Sequence, residues 1–163
     1  TSDLRYTSFT YPFVMNGTVR TLLGKYNRCN KLNQTTAYIN TMRYAGAYYI
    51  VAEAYCRKGE TEAARVLINH YWHCIGVSEA PAGITNQALL ELILTDKQRE
   101  FVGEGVNFFD LKRTHLTSLP RYSQWGTSAS SSISSTDYRW NFPIPVSEYR
   151  FNSVEQNAGW PSN

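Results

Sequence analysis

Residues 96–113, DKQREFVGEGVNFFDLKR, constrain this chain more than any other stretch, because they put charges where a helix should bury its apolar side. Leu90, Leu94, Phe101 and Phe108 recur at steps of four and seven, and Lys97 and Glu104 fill the gaps in the same stripe. A solvated helix would carry Lys97, Glu100 and Glu104 opposite its leucines, so charges on the stripe demand partners in place of water. Asp110 and Arg113, one turn apart, are natural members of the same network. The pattern admits a catalytic carboxylate pair, Glu100 and Glu104, or a partly buried ion-pair lattice that locks helices together. The lattice is favoured, since cations sit within a turn or so and no nucleophile or metal ligand accompanies the acids.

The 163 residues suit one domain or part of a larger one, and a hydrophobic content of 42% is enough for a core. With 16 Lys and Arg against 13 Asp and Glu, a net charge of +3 and no basic run, the chain lacks the stripe of a nucleic-acid binder. The 12 Tyr and 4 Trp are the useful deviation, because their apolar rings and polar tips suit wet binding surfaces and interfaces. Cys29, Cys56 and Cys74 are too few and too scattered for a disulfide framework. His70, His73 and Cys74 share helical spacing but lack a fourth ligand, so no metal or cofactor is expected. No stretch reaches the roughly 20 apolar residues of a membrane span.

Taken in order, residues 1–41 form a loop-rich lead-in with turn signals at Tyr11-Pro12 and Asn16-Gly17 and short strands such as Val19 to Leu23. Tyr6, Phe9, Tyr11 and Phe13 alternate with other residues closely enough to suggest a half-buried strand or an aromatic ligand platform. Residues 42–76 read as a first helical hairpin of the tetratricopeptide kind, turned at Gly59 and stopped at Gly76. Residues 85–115 hold a second helical pair, capped by Thr85 or Asn86 and broken at Gly103 and Gly105. Seven serines between Ser123 and Ser135 mark 118–139 as a surface loop, with Arg121, Tyr122 and Trp125 at its root as candidate sugar contacts. An aromatic plane stacks on the C–H face of a sugar, although a Trp at a loop root more often anchors the loop. Pro143 and Pro145 exclude a helix from 140–163, leaving an extended segment pinned by Trp140, Phe142 and Trp160.

Three ordered motifs then stand out: RYAGAYYIVAEA at 43–54, the charged stretch at 96–113, and Pro143-Ile144-Pro145 followed by Glu148, Asn152 and QNAGW at 156–160. With Asp3-Leu4-Arg5, they resemble the carboxy-terminal part of the SusD/RagB family of nutrient-binding lipoproteins. Gly46, Asp96-Lys97, Asn107 and Ser153 depart from the family's pattern. The resemblance implies a mainly α protein with tetratricopeptide-like hairpins, long irregular loops and few short strands, of which this chain holds the last two hairpins. It also implies a non-catalytic role at the cell surface of the outer membrane. The expected partners are an oligosaccharide or polysaccharide, a SusC-like TonB-dependent transporter and the upstream part of the same protein. By the same resemblance, the full-length protein is expected to reach the membrane only through a lipid anchor outside this chain. The family motifs are scaffold signatures, and its ligand contacts come from variable loops, here 1–41 and 121–140. Tyr11, Arg121, Tyr122 and Trp125 are therefore the candidate ligand residues.

A helical-repeat module for protein or peptide is the alternative from another class. A glycoside hydrolase would need Glu100 and Glu104 about 5–9.5 Å apart across an open cleft. The sequence shows no nucleophile elbow, zinc-binding HExxH or phosphate-cradling glycine loop to support another enzyme.

Overall fold

The computed structural model describes residues 2–25, 42–114, 119–122, 129–134, 136–149 and 151–161. The chain divides into two compact units, Thr1–Val106 and Asn107–Asn163.

The first unit is built on three helices, α2 (Tyr44–Arg57), α3 (Thr61–Cys74) and α4 (Asn86–Glu100), preceded by the short α1 (Leu4–Phe9) and a β-hairpin. Small and large residues alternate on the facing surfaces, so the helices close on Ala45, Tyr49, Ala52 and Cys56 of α2, Ala64, Ile68 and Trp72 of α3, and Leu89 and Ile93 of α4. The α2–α3 turn uses Gly59 at φ 80, and the Glu60 amide returns to the Tyr55 carbonyl at 2.9 Å. Thr85 caps α4 through a hydrogen bond from the Ala88 amide, as the sequence suggests. Buried Asn69 accepts from the Ala80 amide at 2.8 Å and donates to its carbonyl at 3.0 Å, pinning the connector between α3 and α4. Cys56 is buried and Cys74 exposed, and both are free thiols.

The amino-terminal segment corrects one expectation. Tyr6 and Phe9 lie in α1 and only Tyr11 and Phe13 in β1 (Thr10–Met15), so no strand runs through all four aromatics. The Asp3 carboxylate accepts from the Arg5 amide at 3.0 Å and starts a helix that the aromatic alternation hides. β1 pairs antiparallel with β2 (Thr18–Leu23), Met15 facing Thr18 across Asn16-Gly17. Both turn residues have positive φ, 50 and 75, the twist that a two-residue hairpin requires. α4 ends at Glu100, three residues short of the expected Gly103, and residues 101–105 turn.

The second unit contains α5 (Val106–Thr114), the strands β3 (Leu119–Tyr122) and β4 (Ala129–Ile133), a 3-10 turn at Tyr138–Trp140 and α6 (Val146–Tyr149). The Ser-rich stretch is more than the surface loop expected of it. β3 and β4 pair antiparallel, and buried Ile133 joins Leu111 and Trp140 in a small core against which Phe108 packs. A single isoleucine among the serines supplies the anchor.

The proline segment is also corrected, since α6 begins directly after Pro145. The Glu148 amide donates to the Pro145 carbonyl at 2.9 Å. Proline at the head of a helical turn lacks only an N–H that the turn leaves unused. Of the expected anchors, Trp140 is buried and donates to the Ser134 carbonyl, while Phe142 is 67% exposed yet stacks on Phe108 at 4.9 Å. The QNAGW signature acts as a latch on this segment. Gln156 bonds both the amide and carbonyl of Ile144, Asn157 donates to the Phe142 carbonyl at 2.6 Å, and the Trp160 indole donates to the Asn141 carbonyl at 2.7 Å. Gly159, at φ 89, lies so close to Tyr138 that a Cβ would sit 2.5 Å from its ring.

Candidate functional site

The first half of the charged stretch, residues 96–104, lies in the first unit and is largely buried there. Asp96 and Glu100, 3% and 2% exposed, lie one turn apart on the inner face of α4, with Glu104 just beyond its end. The cations that meet them come from distant segments. Arg5 reaches from α1 to hold Asp3 on one side and Asp96 on the other, with Nη2–Oδ distances of 2.8 and 2.6 Å, and its Nη1 approaches Glu100 at 3.4 Å. Arg43, just before α2, bridges Glu100 at 2.5 Å and Glu104 at 2.9 Å and stacks on the Phe101 ring. Lys25, beyond the hairpin, pairs with Glu104 and donates to the Glu100 carbonyl. Asp96 also accepts from the Tyr49 hydroxyl at 2.5 Å and the Trp72 indole at 2.7 Å.

The protonation states follow this arrangement. Burial pushes the Tyr49 hydroxyl up, reinforced by Asp96, and burial does the same to Tyr71, reinforced by Glu100. Burial works against the charge of Arg5, but hydrogen bonds to Asp3 and Asp96 outweigh it, and the guanidinium stays charged. Burial likewise raises the Glu104 carboxyl, and hydrogen bonds from Lys25 and Arg43 outweigh it to leave a net lowering below 4.5. The hydrogen bond from Arg5 holds Asp3 below 3.8.

Groups whose folded values are depressed stabilise the protein fully above their unfolded values and lose that contribution as pH falls through the folded ones. The urea midpoint is therefore expected to stay flat from about pH 7 to about pH 5 and to fall below about pH 4. A midpoint that rises on acidification would overturn this assignment.

Glu100 and Glu104 are joined to Arg5, Lys25 and Arg43, which come from segments far away in the chain. Lys97 is buried on the same helix, while Asp110 and Arg113 pair with each other on α5 at 2.6 Å, in the second unit. Arg5, Lys25 and Asp96 are the residues that reading the stripe alone misses. Asp3-Leu4-Arg5 and Arg43 stand in the sequence as motif residues, but nothing local ties them to residues 90 or 60 positions away.

The expected ligand residues are spread out. Tyr11 lies on β1, half-buried, with its ring against Gly24, where an added Cβ would fall 2.5 Å from Cδ1. Arg121 and Tyr122 lie on β3 in the second unit, in register with Ser131 and Ala129, and Trp125 falls outside the described residues. A cavity of about 510 Å³ opens in the first unit beside the charged centre, lined in part by Asp3, Ser78, Glu79, Thr95 and Arg99. Trp72, Val77, Pro81 and Leu92 share the lining, so these polar groups stand beside apolar surface. Among the described residues no group of three or more His, Cys, Asp and Glu is placed to hold a metal ion, and no helix is long and apolar enough to cross a membrane.

The first unit is a helical hairpin and a third helix locked by a buried charge network, and the second carries a latched carboxy-terminal segment, so the protein is mainly α. The SusD family model matches residues 3–160, and the chain belongs to that family. It is similar to a SusD superfamily protein from Bacteroides vulgatus, at 26% identity and a TM-score of 0.74 over 99% of this chain and 36% of that one. A SusD-like carbohydrate binding protein from the same organism matches at 18% identity and a TM-score of 0.69, over 92% of this chain and 38% of that one. A SusD-like protein from Bacteroides fragilis matches at 26% identity and a TM-score of 0.57, over 73% and 25%. The chain thus spans between 25% and 38% of the length of these structures. No curated protein matches it.

Proposed function

We propose that this chain is part of a non-catalytic glycan-binding subunit at the cell surface, one that delivers oligosaccharide to a SusC-like TonB-dependent transporter in the outer membrane. In this reading the full protein is held to the membrane by a lipid anchor. The observation that carries the proposal is the family match over nearly the whole chain. The description of one solved SusD-like protein as carbohydrate binding agrees with it.

The charged centre supports the non-catalytic half of the reading. A retaining or inverting glycosidase needs two carboxylates facing substrate or water across a cleft. Glu100 is 2% exposed and tied to Arg43 and Arg5, and Glu104 is clamped by Arg43 and Lys25, so neither faces open solvent. The ligand contacts in this reading come from Tyr11 and from Arg121, Tyr122 and Trp125 at the root of the Ser-rich segment.

Calorimetry of the full-length protein against pools of bacterial, plant and host glycans, with a peptide pool in parallel, tests the proposal. Binding to a glycan pool is expected, and Trp125→Ala should weaken it by about 1–3 kcal/mol, the loss of one stacking aromatic in a sugar-sized site. Heat from the peptide pool alone would replace glycan capture with peptide capture. Glycan cleavage, detected as new reducing ends, would overturn the non-catalytic assignment.

A further inference from the structure

Asn16-Gly17 forms the turn of the β1–β2 hairpin and is the single Asn-Gly pair in the sequence. Asn16, at φ 50, is the one non-glycine residue with positive φ among the described residues, and Gly17 follows at φ 75. Both are exposed. A Cβ built on Gly17 would meet nothing within 4 Å, so that side of the turn is open. Asn and Gly suit a two-residue turn because both tolerate the left-handed region. The same pair also sets up a reaction.

The side-chain carbonyl of an asparagine is placed to close a five-membered ring with the main-chain nitrogen of the next residue. When that residue is glycine, no side chain hinders the approach. Attack of the Gly17 nitrogen on Asn16 Cγ forms a new N–Cγ bond, and the side-chain nitrogen leaves as ammonia, taking the Gly17 amide proton with it. Water then opens the cyclic imide. Opening at Cγ gives aspartate, and opening at the main-chain carbonyl gives isoaspartate, in which the chain runs through the former side chain. The sum is one ammonia lost and one water gained, with no oxidation or reduction.

Ring closure needs the turn to leave its folded form, and this hairpin permits that. Pro12 to Met15 of β1 and Thr18 to Thr21 of β2 are all exposed. A two-stranded ribbon with so little burial opens locally at small cost. Its base is held more firmly: the Gly24 amide donates to the Phe9 carbonyl at 2.7 Å, Leu23 lies against Gly103, and Lys25 pairs with Glu104.

We propose that Asn16 is a site of spontaneous covalent modification, converting to isoaspartate and aspartate in the folded protein. Either product adds one negative charge at the hairpin tip. Aspartate tolerates the left-handed conformation and keeps the turn. Isoaspartate lengthens the main chain by one carbon, so Met15 no longer faces Thr18 across a two-residue loop. The result is a loosened tip on an intact charged centre, whichever ligand the protein takes.

Ageing the full-length protein at mildly alkaline pH tests this, with peptide mass to locate the change and fragmentation to separate isoaspartate from aspartate. Exposed Asn152, followed by Ser153, is the internal control. Modification is expected to be at least about tenfold faster at Asn16 than at Asn152. Asn16→Gly, which keeps a positive-φ turn, should remove the mass change from that peptide. In the isoaspartyl fraction the Met15 and Thr18 amides should exchange hydrogen faster, while exchange on α4 stays as it was. Equal rates at Asn16 and Asn152, or modification of Asn16 only after unfolding in urea, would overturn the proposal. Unchanged exchange at Met15 and Thr18 in the isoaspartyl fraction would overturn the loosened tip.

Discussion

Replacing Asp96 by Ala is expected to lower the stability of the first unit by about 3–5 kcal/mol. Asp96 is 3% exposed and receives two hydrogen bonds from Arg5, one from the Tyr49 hydroxyl and one from the Trp72 indole. Its removal takes the acceptor from the buried Tyr49 hydroxyl and Trp72 indole and leaves the Arg5 guanidinium, only 6% exposed, to Asp3 and Glu100. Stranded buried donors lose their full desolvation cost, which exceeds the net worth of the bonds themselves. Urea denaturation followed by tryptophan fluorescence measures the loss directly. A change within about 0.5 kcal/mol, the range of an ordinary surface substitution, would show that the network adds little.

Glu104→Ala is expected to cost about 3 kcal/mol for a related reason, and a second substitution separates this from a catalytic role. Lys25 pairs with Glu104 with a side chain only 6% exposed, and burial already pushes its pKa down. Among the described residues, its charge then keeps the Glu100 carbonyl, the more distant Glu100 carboxylate and the faces of Phe9 and Phe101. Lys25→Met should therefore be less harmful in the Glu104→Ala background than in the wild type, with a coupling of about 1–3 kcal/mol. Additive losses would mean that the two residues do not share a site. A Glu104→Ala protein of unchanged stability that loses an activity would return the carboxylate to catalysis.

Much of the helical scaffold is legible in the sequence because its signals are local. Gly59 and Gly76 stop α2 and α3, Thr85 starts α4, and the spacing of Ala45, Tyr49, Ala52 and Cys56 gives the inner face of α2. The charges on the α4 stripe announce a network, and their burial accords with that. Its membership is hidden because Arg5 and Arg43 sit 95 and 57 residues from Glu100, and no periodicity connects them. α1 is hidden for another reason: Tyr6 and Phe9 fit a helical step of three as well as they fit a loose alternation. The small core of the second unit rests on Ile133, one apolar residue in a serine tract, which composition averages away. The candidate ligand residues are the least legible part, since Tyr11, Arg121, Tyr122 and Trp125 belong to no motif that defines a geometry.

The span of the Arg5–Asp96 bond sets an order of events during synthesis. Its partners are 91 residues apart, so a guanidinium made almost at the start of this chain waits until nearly all of the first unit has left the ribosome. The α2–α3 hairpin, whose contacts are local, is free to form in the meantime. α4 cannot follow it into the core alone, because Asp96 and Glu100 would enter as uncompensated anions. Burial of α4 is thus tied to the return of the first segment, since Asp96 and Glu100 give up water where the guanidiniums of Arg5 and Arg43 replace it.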